Sequence, residues 1–306
     1  MSETVHVAVP RKGRPLEAVL DRLAGHPDAP DDAAAVADDV SNVLRYEKAV
    51  TKDEQDAAAG VYDRLADYST PGDDRAPDFT LLRDDRAGFP RRVVFDSVTI
   101  GLGNVDVHLV GREEPFRALR THEFALGFDS ADLVLEEVVG LEPDPLTSLA
   151  DVNDRIDPHD TDVRVVTGLG DTVYHTLLAT HETVDAGPTD TLGREFVADY
   201  EGSFCISPRY ERLVEAVLGT RATDGLDFVY PESGVEEEAA IADAGVGAYL
   251  TVTGSTAREH GLELGERLFP SETVLMENAC EADSAAIERV RDALGDAVEE
   301  TAIAMN

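Results

Sequence analysis

Short apolar runs alternate along this chain with segments of helical period, and that alternation restricts it to an α/β architecture. Residues 5–10 (Val-His-Val-Ala-Val-Pro) form the first strand-like run. The turn Arg11-Lys12-Gly13-Arg14-Pro15 follows, and then Leu16, Val19, Leu20 and Leu23 repeat at helical spacing. Further strand-like runs occupy residues 78–83, 105–111, 163–167, 203–207, 226–230, 247–252 and 272–278. The run over 131–139 starts another strand, and 93–98 reads as either a strand or a short helix. Helical patterns cover 36–68, 172–180, 210–218 and 236–244, and a helical pattern starts again at 256. Residues 284–300 form a terminal amphipathic helix with Ile287, Val290, Leu294 and Val298 on one face. That face is either core or a subunit interface in a homo-oligomer. Residues 26–35, 69–77 and 140–162 are loops. Such alternation implies mostly parallel sheets, which bind ligands at the carboxyl ends of their strands. The polar turns after Pro10 and after Val252 stand at such ends.

With 306 residues, 42% of them hydrophobic, the chain can build two lobes without disulfides or metal. Asp and Glu number 63 against 26 Lys and Arg, a formal net charge of −37. Lysine occurs only at Lys12, Lys48 and Lys52. This is the composition of a protein from a salt-loaded cytoplasm, kept soluble by a hydrated acidic surface. It argues against nucleic-acid binding, since no broad basic face neutralises phosphates. It leaves room for a small anionic ligand held by a local cradle. Two cysteines, Cys205 and Cys280, imply no disulfide framework, and no His/Cys cluster has zinc spacing. Cys205 reads as buried and inert. With neither a leader nor an apolar run of about 18 residues, the expectation is a cytoplasmic protein that does not span a membrane.

One junction carries chemistry. At residues 253–257 the chain reads Thr-Gly-Ser-Thr-Ala between a strand and a helix start. First-turn amides have no intrahelical acceptor, so Gly254, Ser255, Thr256 and Ala257 offer donors beside the hydroxyls of Thr253, Ser255 and Thr256. Gly254 lets the backbone approach an anion. The same residues also suit an ordinary helix cap.

Several segments, taken in order, resemble the ATP phosphoribosyltransferases of histidine biosynthesis. Residues 7–14 are similar to that family's opening strand and Lys-Gly-Arg turn. Residues 83–90 loosely resemble its Arg…Asp-Ile-Pro segment, and 105–111 its Val-Asp-Leu-Gly-Ile-x-Gly strand. Residues 206–218 resemble the second-lobe strand and helix. The strongest match runs from Gly234-Val235-Glu236 to Thr253-Gly254-Ser255-Thr256, then Gly261-Leu262 and Leu275-Met276-Glu277-Asn278. From Glu236 to Thr253 the family spacing is kept without a gap. Residues 36–76 and 140–200 have little counterpart, and the chain resembles the short form, without a C-terminal regulatory domain. The departures are specific. The family Asp before the phosphate loop is Tyr249, an upstream Asp is Gly245, the Leu ending the signature is Ala257, an Asn is His260, and the Asp of Asp-Ile-Pro is Gly88.

The resemblance implies a two-lobed, periplasmic-binding-protein-like (type II) α/β fold. Its first lobe would comprise residues 1–120 with 265–306, and its second, carrying the phosphate loop, 121–264. It implies transfer of phosphoribosyl from phosphoribosyl diphosphate to ATP, with Mg²⁺ on the diphosphate. The 5′-phosphate would lie on Thr253, Gly254, Ser255, Thr256 and Ala257, and diphosphate or ATP phosphates on Arg11 and Lys12. Arg14 and Glu236 would act in catalysis. On the residues alone, Arg11, Lys12 and Arg14 also suit a solvated turn, and Glu236 either orients a ribose or caps its helix. Tyr249 either stacks on a base or fills space. The missing acids also suit a non-catalytic or repurposed paralogue that binds another phosphorylated molecule.

Overall fold

The computed structural model describes residues 3–83, 91–146, 148–170, 173–232 and 234–295. Among these residues twelve strands are numbered in chain order. They are β1 Glu3–Pro10, β2 Asp78–Arg83, β3 Arg91–Leu102, β4 Val105–Arg112, β5 Leu126–Ser130 and β6 Val163–Gly168. The remaining six are β7 Val173–Thr180, β8 Gly202–Cys205, β9 Leu226–Val229, β10 Val246–Thr251, β11 Leu262–Ser271 and β12 Thr273–Asn278. The chain divides into two compact units. Unit 1 comprises Met1–Asp129, Asp162–Asp171 and Thr273–Val298, and unit 2 contains Ser130–Thr161 and Thr172–Glu272. The chain leaves unit 1 beyond the expected residue 120 because β5 still belongs to the first sheet, and β11 stays with unit 2 past residue 264.

Unit 1 is built on a seven-stranded sheet in the order β2-β3-β4-β1-β5-β12-β6. The helix α1 (Arg14–Ala24) buries Leu16, Val19, Leu20 and Leu23, the stripe that spacing predicts. Full burial of four such side chains contributes on the order of 8 kcal/mol before chain entropy is charged against it. The helix α2 (Ala33–Thr51) buries Ala33, Ala37, Val40, Ser41, Leu44 and Glu47. Glu47 is a carboxylate in that buried row because α3 (Val61–Tyr68) supplies its partners. Arg64 donates to it through Nε at 2.7 Å and Nη2 at 2.9 Å, and the Tyr68 hydroxyl donates at 2.9 Å. Burial, with the bond to Glu47, pushes the Tyr68 phenol up to about 12. In the terminal helix Ala285–Gly295, Ala286, Val290 and Leu294 pack into this unit's core. Residues 296–300 of the expected terminal helix, Val298 among them, lie outside the described residues.

Unit 2 carries a five-stranded sheet in the order β11-β7-β10-β8-β9. The α/β class and the strand–helix alternation match the expectation, but the sheets are mixed rather than mostly parallel. In unit 1, β1 pairs in parallel with β4 and β5, whereas β3 is antiparallel to both β2 and β4. In unit 2, β10 is parallel to β8 and antiparallel to β7. Periodicity reports a strand's exposed faces and says nothing of its direction.

Three local readings are corrected. Residues 172–180 were expected as a helix, yet Val173–Thr180 is the strand β7, flanked by β11 and β10. Leu177, Leu178 and Ala179 are buried in succession, and a short run buried on both faces has the same signature in either structure. Residues 131–139 were expected to start a strand, yet Ala131–Glu137 is a helix. Ser130 caps it by accepting from the Asp132 amide, and Ala131, Val134 and Leu135 form its buried stripe. The helix beginning near residue 256 is only Ser255–Glu259, and the chain re-enters the sheet as β11. The ambiguous segment 93–98 lies within β3. Among the described residues no helix is long and apolar enough to cross a membrane.

Candidate phosphate-binding site

The helix Glu237–Ala244 ends at Gly245, β10 runs to Thr251, and a tight turn leads into Ser255–Glu259 before β11 returns beside β7. The turn therefore stands at the carboxyl end of β10. Gly254 adopts φ 69°, ψ 20°, a left-handed conformation that costs an L-residue about 1–2 kcal/mol. A Cβ there would also fall 2.2 Å from Leu264 Cδ2 and 3.0 Å from its Cγ. Glycine is thus required by the backbone and by the packing of β11 beneath the turn.

Thr253, Ser255 and Thr256 are exposed, while Ala257 is buried in a small core with Leu178, Cys205, Ile241 and Leu262. Thr253 Oγ1 lies 3.1 Å from Ser255 Oγ and accepts from the Ser255 amide at 3.4 Å. The amides of Thr256 and Ala257 have no carbonyl acceptor among the described residues, as a first turn leaves them. With five residues the helix supplies little macrodipole, so any hold on an anion comes from these amides, the three hydroxyls and nearby charge.

That charge is Arg258, which sequence reasoning missed. Its Nη1 donates to the Thr253 carbonyl at 3.0 Å, folding a guanidinium back over the turn. The only signal in the sequence is an arginine soon after the turn on a helix too short to carry it away. Glu236 precedes its helix but makes no side-chain cap; its Oε2 lies 3.2 Å from His260 Nε2. The structure therefore brings Glu236, His260, Arg258 and residues 253–257 into one neighbourhood of unit 2.

The two departures from the family acids have structural correlates. Tyr249 is half-buried on β10, and burial raises its phenol, helped by Glu237 and Glu238 and by a hydrogen bond to Glu237. Gly245 sits at φ 97°, and a Cβ there would lie 2.6 Å from Thr183 Oγ1. An aspartate does not fit that backbone.

In unit 1 the basic turn after β1 is divided. The Arg11 guanidinium pairs with Asp96 at 3.7 Å and Glu113 at 3.9 Å, so its charge is partly offset. Lys12 and Arg14 line a cavity of about 650 Å³. Gly88, with the rest of the Asp-Ile-Pro-like segment from 84 to 90, lies outside the described residues. Among the described residues no three His, Cys, Asp or Glu side chains gather as a metal site requires. Cys205 is buried with its thiol pushed up by burial, and Cys280 is exposed; neither is in a disulfide.

A family model described as Halobacterial ATP phosphoribosyltransferase matches residues 1–305. No curated protein matches the sequence. Among solved structures, the ATP phosphoribosyl transferase (HisG:HisZ) complex from Thermotoga maritima is similar at 13% identity and TM-score 0.42, over 95% of this chain and 97% of that one. YhfZ from Shigella flexneri is similar at 11% identity and TM-score 0.42, over 97% and 85%. The regulatory domain of MetR, a LysR family regulator from N. meningitidis, is similar at 13% identity and TM-score 0.33, over 62% and 80%.

Proposed function

The chain belongs to the halobacterial ATP phosphoribosyltransferase family, and from that premise we propose that residues 253–257 bind the phosphate of a small phosphorylated metabolite. The observation that carries this reading is the exposed turn itself. It holds the amides of Thr256 and Ala257, which have no carbonyl acceptor among the described residues, three hydroxyls and the Arg258 guanidinium.

The finer reading is the family reaction, the first step of histidine biosynthesis. Diphosphate leaves the anomeric carbon of phosphoribosyl diphosphate as N1 of ATP bonds to it. Charge builds on the sugar ring and on the leaving diphosphate, so catalysis consists of positioning and charge stabilisation, without a side-chain nucleophile. In this reading Thr253, Gly254, Ser255, Thr256 and Ala257 hold the 5′-phosphate, and Glu236 orients a ribose hydroxyl. For unit 1 taken by itself, the resemblance gives Lys12 and Arg14 to diphosphate or ATP phosphates, with a smaller part for Arg11 because two carboxylates already offset it. Mg²⁺ arrives on the diphosphate as part of the substrate.

Tyr249 and Gly245 favour a second reading, in which the turn keeps its phosphate while the rest of the ligand has changed. The Gly245 backbone disfavours an aspartate there, which supports sugar contacts that differ in this second reading. A diphosphate-release assay with ATP, phosphoribosyl diphosphate and Mg²⁺ in molar KCl separates the two. Turnover abolished by Thr253→Val/Thr256→Val supports the transferase. Phosphate-ligand binding without turnover, in both the natural chain and Tyr249→Asp, supports the changed ligand. Absence of any phosphate-dependent binding contradicts both.

A further inference from the structure

Glu237 bonds to Tyr249, and a Cβ on Gly247 would lie 2.9 Å from Ile241 Cγ1, so the helix Glu237–Ala244 runs antiparallel to β10. Its start is therefore level with the carboxyl end of that strand, where the turn at 253–257 begins. Glu236 is the N-cap residue of this helix, a position where a carboxylate ordinarily accepts from first-turn amides. Its side chain makes no such bond. It turns instead to the neighbouring helix Ser255–Glu259, where its Oε2 lies 3.2 Å from His260 Nε2. That imidazole is placed by the same helix, since the His260 amide donates to the Thr256 carbonyl at 3.2 Å. The Glu236 side chain is 71% exposed, against 31% for His260, and its Oε1 has no partner among the described residues. A carboxylate drawn off its own cap, fixed through one oxygen and open through the other, is an acceptor waiting for a donor. The five residues of the helix, at 1.5 Å each, set this pair about 7.5 Å along its axis from the turn.

We propose that His260, which stands where the family has an asparagine, is a positioning residue. It holds Glu236 so that the open oxygen accepts from a hydroxyl of the ligand, and the ligand is then the phosphate ester of a polyhydroxylated carbon chain or ring. This role rests on the phosphate reading of residues 253–257; it adds the class of ester and the residue that sets the acceptor. Glu237, the next acid in the chain, is engaged by Tyr249, which leaves the hydroxyl to Glu236. A bond from a hydroxyl to a carboxylate is charge-assisted, and an acceptor already held by an imidazole loses little freedom on binding. Orthophosphate on the turn cannot span the distance to the pair, whereas a phosphorylated sugar can. The opposing account is a surface ion pair with no part in binding, which would contribute little to stability either.

Calorimetric titration of the full chain in molar KCl decides between them. The probes are ribose 5-phosphate, the hydroxyl-free ester n-pentyl phosphate, and orthophosphate. Ribose 5-phosphate is expected to bind at least about tenfold more tightly than either of the others. His260→Ala and Glu236→Ala should each remove most of that preference while leaving n-pentyl phosphate within about twofold, and the double variant should lose no more than either single one. His260→Gln, whose amide can donate near the place of Nε2, should keep the preference. A contact that only supports the fold would weaken both esters alike and would not be rescued by glutamine. The proposal is overturned by a natural chain without the preference, by a preference unchanged in His260→Ala, by equal weakening of both esters, or by His260→Gln failing as badly as His260→Ala. In each of those cases, ester binding that is lost in Thr253→Val/Thr256→Val leaves the phosphate reading standing. A natural chain that binds neither ester removes both.

Discussion

Gly254→Ala tests whether the turn at residues 253–257 is tied to the core of unit 2. Holding alanine at φ 69° costs about 1–2 kcal/mol. Reduced freedom of the unfolded chain returns about 0.4–1 kcal/mol. The new Cβ would meet Leu264 Cδ2 at 2.2 Å and its Cγ at 3.0 Å, and such overpacking costs roughly 1–3 kcal/mol. The leucine tip can turn away about χ2, whereas relieving the Cγ contact takes a change of χ1 that disturbs its packing. The net is about 3 kcal/mol, or on the order of a hundredfold faster amide exchange for groups that open only when unit 2 unfolds. Hydrogen exchange at the β10 and β7 amides reads that unit without averaging over unit 1. Leu264→Ala should cost about 2 kcal/mol alone, yet little more when added to Gly254→Ala, because it removes the clash. Exchange altered by less than about threefold in Gly254→Ala, or strict additivity in the double variant, would refute the packing argument.

Tyr249→Asp should fold and, under the transferase reading, raise affinity for phosphoribosyl diphosphate; Gly245→Asp should lower thermal stability by about 2 kcal/mol or more through its φ of 97° and the Thr183 contact, as scanning calorimetry would show. Arg64→Leu leaves Glu47 buried without its guanidinium and should cost about 3–5 kcal/mol in denaturant unfolding, whereas Glu47→Met/Arg64→Leu should recover most of it. Tyr68 has its folded pKa raised to about 12 from an ordinary value near 10, so its contribution is intact below pH ~10 and is lost as pH rises toward 12. Tyr68→Phe should flatten that part of the stability profile, with ultraviolet titration following the phenolate.

What was legible in the sequence depended on whether one physical pattern admitted one structure. The α1 stripe of Leu16, Val19, Leu20 and Leu23 has a period no strand shares, and β4 (Val105–Arg112) alternates between buried and half-buried positions as a strand must. Residues 173–180 and 131–137 were not legible because short apolar runs suit either state until their neighbours are known. Strand direction left no trace, so the mixed sheets were out of reach. At Thr253-Gly254-Ser255-Thr256 the sequence made the turn from strand to helix legible, with its left-handed glycine; that it binds phosphate is this account's proposal. The return of Arg258 to the Thr253 carbonyl and the Glu236–His260 contact depend on how short the helix is, which spacing does not encode. The meeting of Lys12 with Lys48 and Lys52 around one cavity is tertiary, set by how α2 packs against the rest of unit 1.

The most direct test of phosphate binding at residues 253–257 is calorimetric titration of phosphoribosyl diphosphate with Mg²⁺ into the full chain in molar KCl, beside ribose 5-phosphate and ATP. At that salt the Debye length is about 3 Å, so long-range attraction is screened and only direct contacts register. Saturable binding in the natural chain, lost in Thr253→Val/Thr256→Val and weakened in Arg258→Gln, is the predicted result. Binding that persists undiminished in Thr253→Val/Thr256→Val, or no binding of any of the three ligands, would contradict it.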